Sequence, residues 1–204
     1  MKQTLTSTVV LAASCIALNV AIGSIVYLLK LPAYLDSIGI MLAALLAPGT
    51  RWNAAVTSAM VAIISYTVIG LLVSPFEPWF IGTGVAGAIY GAYIARGRVS
   101  DLIAGTTGPL KFVGKTLLYG IGWGVVAAAV SAPVVVYLFG GVTGAGSTLI
   151  LTYLVKTGHQ LFNAALLTGF AADPVDKTIS MLCAILIARA TPPSFKAHLA
   201  VAVQ

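Results

Sequence analysis

The sequence predicts an all-α integral membrane protein: six transmembrane helices in one compact bundle, with a long external segment before the last helix. Three observations carry this reading. First, 59% of the 204 residues are hydrophobic and only 8% are charged, against about 25% charged in an ordinary soluble domain. A soluble fold of this size could not hide so much apolar surface. Second, the apolar runs are long and continuous. A membrane barrel would need alternating segments of about 10 residues, so helices satisfy the backbone in lipid. Third, the positive charges gather on one set of alternate connections. Together these exclude a soluble enzyme, a disordered tail and a nucleic-acid reader. The chain reads as one domain over 1–204.

The uncharged run Val9–Leu29 outruns the apolar core of a secretory signal and is long enough to span. It predicts a retained first helix over about 8–29. Lys30-Leu31-Pro32-Ala33-Tyr34-Leu35-Asp36 breaks it, and a short span over 36–47 stops at Pro48-Gly49. The third span runs from about 53 to 73 and ends at Ser74-Pro75-Phe76-Glu77-Pro78. A Gly- and Ala-rich fourth covers about 79–95 and stops at Arg96-Gly97-Arg98. The fifth covers about 112–138, with a kink or early stop expected at Pro133.

Gly140, Gly141, Gly144 and Gly146 then mark a turn. The stretch 148–172 is apolar but carries Lys156, His159, Gln160 and Asn163. Asp173-Pro174-Val175-Asp176 reads as a helix start, with Asp at the N-cap and Pro at the first position. The last span is therefore expected over about 175–190, ended by Thr191-Pro192-Pro193.

Charge decides between six spans and seven. With six spans and the N-terminus inside, the inner side holds Lys2, Arg51, Arg96, Arg98, Lys111, Lys115, Arg189 and Lys196. The outer side holds Lys30, Lys156 and Lys177, so the division is 8 against 3. A seventh span moves Arg189 and Lys196 outside and gives 6 against 5. Six spans fit the positive-inside rule better and leave 139–172 as an external segment, with both termini cytoplasmic. The formal charge of +6 is thereby a topology signal rather than a nucleic-acid site.

No catalytic motif is present. Gly114-Lys115-Thr116 has the tail of a phosphate-binding loop, but Pro109 stands where that loop needs Gly. His159 and His198 are too far apart for a zinc site or an acid/base pair. Cys15 and Cys183 read as buried small hydrophobes. The expectation is a non-enzyme with no catalytic residue, no metal and no cofactor of its own. With the last span at 175–190, charges and acid pairs at mid-span are not expected either.

Two features point to binding. Ala13, Ala17 and Ala21 lie four apart on the first helix, a small-residue stripe that suits close approach of another helix. That approach could be packing inside the bundle or docking to a separate membrane subunit. At the outer ends stand Tyr34 and Asp36, then Glu77 and Trp79, then Lys156, His159, Gln160 and Asn163. Lys156, His159 and Asn163 are spaced to share one helical face. Polar side chains at membrane depth face a cavity or a partner, and aromatics among hydrogen-bonding groups suit a small heteroaromatic ligand. Trp79 also suits an interfacial belt, and Asp173 and Asp176 read first as helix caps.

The chain resembles the substrate-binding S component of energy-coupling-factor (ECF) vitamin transporters. The resemblance rests on the size, the six spans and the Ala13-x-x-x-Ala17 stripe. It also rests on Leu31-Pro32-Ala33-Tyr34-Leu35-Asp36-Ser37-Ile38-Gly39, the Pro-rich turn at 75–78 and Asp173-Pro174-Val175-Asp176-Lys177. It spans nearly the whole chain.

It implies a subunit of a prokaryotic cytoplasmic membrane that captures a vitamin or precursor at the outer face. The alanine stripe would dock onto a transmembrane T component. Two ATPase subunits would supply ATP hydrolysis, and the subunit would topple in the bilayer to release its cargo. Riboflavin, biotin, a thiamine pyrimidine precursor, a cobalamin-type ligand and a queuosine precursor all remain open. The outer charges of both signs favour a neutral or zwitterionic heterocycle. The alternative is a self-sufficient small-solute channel or secondary carrier, which would favour internal repeats and midplane charges.

Overall fold

The computed structural model describes residues 2–200. The helices are α1 (Lys2–Leu28), α2 (Ile38–Leu46), α3 (Arg51–Leu72), α4 (Ile81–Tyr90), α5 (Ser100–Ala104), α6 (Pro109–Tyr137), α7 (Ser147–Lys156), α8 (Leu161–Ala190) and α9 (Pro193–Ala200). A tight 3-10 turn, Glu77–Phe80, leads into α4, and a wider turn, Gly91–Ala95, continues it. No strand occurs among the described residues. The stretches Leu5–Leu28, Arg51–Leu72 and Pro109–Tyr137 are long and apolar enough to cross a membrane. The architecture is that of a helical membrane protein.

Two short predicted elements differ from expectation. The span expected at 36–47 is a nine-residue helix, α2, with Ile38–Leu45 buried throughout. At about 1.5 Å per residue it falls well short of a hydrocarbon core about 30 Å thick, and it is enclosed by α1, α3 and α8. Pro133 neither stops α6 nor shortens it, for the helix continues to Tyr137.

The last helix differs most. It begins at Leu161 rather than 175 and runs 30 residues, so Asp173 and Pro174 are not its cap and first position. Both lie inside the helix. Pro174 lacks the N–H that Phe170 would accept, but α8 continues through it because it is packed along its length on α6. The segment 139–172 therefore divides into a glycine turn, α7, a second turn and the first part of α8.

The contact between α6 and α8 is made by small residues. A Cβ on Gly124 would overlap the backbone of Pro174, and one on Gly120 would come within 2.5 Å of Thr178 Cα. Absence of side chains at these two positions, one turn apart, sets how closely the helices approach.

Asn19 performs the corresponding task for α2. Its Oδ1 accepts from the Gly39 N–H at 2.6 Å, and its Nδ2 donates to Ser65 Oγ at 3.3 Å. The Gly39 N–H is one of the donors that a helix N-terminus leaves unpaired; Ser37 makes no side-chain cap. A Cβ on Gly39 would overlap the Cys15 carbonyl. Asn19→Leu is expected to strand that donor and cost about 1–3 kcal/mol, read as a lowered unfolding midpoint in detergent. An unchanged midpoint would show that Asn19 does not hold α2.

Candidate solute-binding site

Three connections meet at one end of the long helices: 29–37, 73–80 and 138–160. Around them lies a cavity of about 790 Å³, its mouth included. Its wall takes Tyr34 and Asp36 from the first connection and Phe76, Glu77 and Phe80 from the second. Thr143, Ser147 and Thr148 come from the third, and Thr168, Asp173 and Lys177 from α8.

The first connection is tied to α8 by Asp176. Its Oδ1 accepts from the backbone N–H groups of Tyr34 and Leu35 at 2.9 and 2.8 Å. Leu35 has a φ of 49°, a left-handed conformation uncommon for a side chain of that size, and the paired hydrogen bonds secure it. The other oxygen, Oδ2, takes Lys177 Nζ at 2.5 Å. Asp176 is fully buried and caps nothing; the expectation of a cap is overturned by the position of the helix start.

Lys177 is held by two hydrogen bonds and a second carboxylate. Beyond Asp176 it donates to Ser37 Oγ at 2.9 Å and lies 3.7 Å from Asp36 Oδ1. Ser37 Oγ in turn donates to Asp36 Oδ1 at 2.6 Å. The ammonium also sits 5.8 Å from the Tyr34 ring centre and 5.6 Å from that of Trp123, and Tyr34 OH shares a 2.6 Å hydrogen bond with Ser147 Oγ.

Glu77 and Asp173 stand apart from this network. Both are buried, at 8% and 5% exposure, and both line the cavity. Among the described residues neither carboxylate has a hydrogen-bond or ion-pair partner. Glu77 lies on the connection outside α3 and α4; burial pushes its carboxyl up to about 8, with the Asp36 charge adding and Lys177 opposing. The buried hydroxyls of Thr83 and Thr168, also on the wall, have no partner either.

Of the residues expected to bind, the cavity therefore gathers Tyr34, Asp36 and Glu77. Trp79 is 59% exposed and does not line it. Lys156, His159, Gln160 and Asn163 are exposed and lie off its wall. The expected shared helical face fails because α7 ends at Lys156, His159 lies in the following turn, and Asn163 belongs to α8. Asp173 and Lys177 take their place. A charge pair i, i+4 inside one long helix was the available signal, but Pro174 disguised it as a helix start. The expectation that mid-helix charges are absent fails with it, as Asp173, Asp176 and Lys177 lie near the middle of α8.

The opposite end is basic. Arg96 donates to the Ala47 carbonyl at 2.7 Å, and Lys115 pairs with Asp101 at 2.8 Å while donating to the Arg98 carbonyl at 2.9 Å. Lys115 holds the Asp101 carboxyl below its ordinary range. Lys196 reaches the Arg189 carbonyl at 3.2 Å. On α1, Leu11, Cys15, Asn19 and Gly23 face inward, whereas Ala13, Ala17 and Ala21 are all exposed. The stripe does not pack within the protein.

Comparison with protein-family models, curated proteins and solved structures returns no match to the chain.

Proposed function

We propose that the chain is the substrate-binding membrane subunit of an ECF-type importer, capturing a vitamin or vitamin precursor at the outer face. The observation that carries this is the cavity itself: a space lined by aromatic and buried polar side chains, walled by connections at the end of the helices opposite the basic cluster. In the six-span reading, α2 with its flanking turns counts as one crossing and α8 as the last. The basic end then faces the cytoplasm of a prokaryotic cell, both termini with it, and the cavity faces outward.

The exposed alanine stripe supports docking to a transmembrane T component, with ATP hydrolysed on two partner ATPase subunits. Ala17→Leu is expected to weaken co-purification with such partners at least about tenfold while leaving solute affinity unchanged; a loss of about 1.4 kcal/mol at the interface suffices. Equal loss of both would assign the stripe to the fold instead.

Capture is tested by denaturing the purified chain and identifying the released small molecules by mass spectrometry. A heterocyclic solute in stoichiometric amount is expected. None released from wild-type protein grown in rich medium would count against capture.

One observation favours a second reading. Asp173, Asp176 and Lys177 form a buried ionisable group at the middle of a long helix, with Asp36 of the first connection beside them, as proton- or ion-coupled carriers require. Reconstitution of the chain alone in liposomes separates the two. Solute uptake at full rate without partners supports the carrier; binding without uptake supports the importer subunit.

A further inference from the structure

We propose that the cavity selects a solute carrying a nitrogen cation on a flat apolar frame, its charge met by Glu77 and Asp173. This rests on the capture reading above and narrows the class of solute. It departs from the neutral or zwitterionic heterocycle that the outer charges of both signs favour.

The charge balance changes because Lys156 lies off the wall. What remains on it is Asp36, Glu77 and Asp173 against Lys177 alone. Lys177 has three N–H donors, and Asp176, Ser37 and Asp36 surround them. It donates no hydrogen bond to Glu77 or Asp173. A buried carboxylate without a donor is costly, so each of these needs a proton or an outside cation. An anionic solute would meet two carboxyl groups without hydrogen-bond partners and one ammonium already flanked by Asp36 and Asp176.

The wall favours an organic cation over a metal ion. Among the described residues no group of three His, Cys, Asp or Glu side chains converges as a metal ion needs. The remaining wall suits an aromatic body. Phe76 and Phe80 line the cavity and are held from behind by Phe139, at ring-centre distances of 5.0 and 6.0 Å. The unpartnered hydroxyls of Thr83 and Thr168 add hydrogen-bonding positions for ring or exocyclic nitrogens. An amidine, a guanidine or a ring-bound ammonium supplies both charge and N–H donors to such a wall.

The test uses a matched pair of flat probes, benzamidinium and its neutral counterpart benzamide, with the full chain in detergent and affinities read by calorimetry. Benzamidinium is expected to bind about 10–100-fold more tightly, the range of a charge-assisted hydrogen bond. Glu77→Gln and Asp173→Asn are each expected to reduce that preference about tenfold. Because each replaces a buried carboxyl that has no hydrogen-bond partner in the protein, neither is expected to lower the unfolding midpoint; this separates lost recognition from lost folding. Equal affinity for the two probes, no binding of either, or a preference that survives both substitutions overturns the cation assignment. The capture reading fails separately, if wild-type protein releases no solute on denaturation. A released solute that is neutral or anionic leaves capture standing and sinks the cation.

Discussion

Asp176→Ala is expected to destabilise the protein by about 3–5 kcal/mol, the cost of leaving one member of a buried ion pair without its partner. Three losses coincide at this residue. Lys177 keeps Ser37 but loses its shortest contact, leaving Asp36 at 3.7 Å as its remaining counter-charge. The N–H groups of Tyr34 and Leu35 lose their acceptor. Leu35 then has nothing to hold its left-handed backbone. Asp176→Asn divides the effect, since an amide oxygen can still accept from both N–H groups while the charge is gone. The expected order of unfolding midpoints in detergent is wild type, then Asn, then Ala. Should Ala and wild type unfold together, Asp176 is not the anchor of the first connection.

Gly124→Leu is expected to do comparable or greater harm by a different route. Overpacking a well-filled contact typically costs about 1–3 kcal/mol and sometimes more. Here the added atoms meet backbone rather than the tip of a side chain, because Gly124 lies against the Cα of Pro174. Backbone cannot rotate away, so α6 and α8 must separate. Both carry cavity wall, Ala127, Ser131 and Val135 on one and Thr168, Asp173 and Lys177 on the other. The variant is therefore expected to lose solute binding together with folded yield. Gly124→Ala is the milder member of the series. Wild-type yield and melting for Gly124→Leu would mean that the crossing tolerates a wider spacing.

Much of the fold was legible because lipid leaves the backbone few options. Run length and interrupting Pro, Gly and charged residues located both ends of α3 and α6 and the end of α1 within about three residues, while α1 starts at Lys2 rather than about 8. Alternating charge placed Arg96, Arg98 and Lys115 at the same end, where the structure also puts them. What sequence misjudged has a common physical cause: local rules were outweighed by packing. Asp173-Pro174 has the composition of a helix start, yet contact with α6 carries α8 through it. Lys156, His159 and Asn163 have helical spacing, yet the turn around Gly158, with φ of 99°, separates the two helices they occupy. The network joining Tyr34, Ser37 and Lys177 links positions about 140 apart, which no window along the chain can display.

The position of three charges in α8 also bears on how the chain is assembled. A lone Asp or Lys at a helix centre opposes membrane insertion by about 2.5–3.5 kcal/mol, and α8 carries Asp173, Asp176 and Lys177 within five residues. Its hydropathy alone recommends it poorly for lipid. The groups that partner Asp176 and Lys177 come from residues 34–37, made long before α8 leaves the ribosome. In the six-span reading, the last helix is thus admitted by a template already waiting in the bilayer. Biogenesis then proceeds by completion of a charged joint rather than by helices entering one at a time on their own merits.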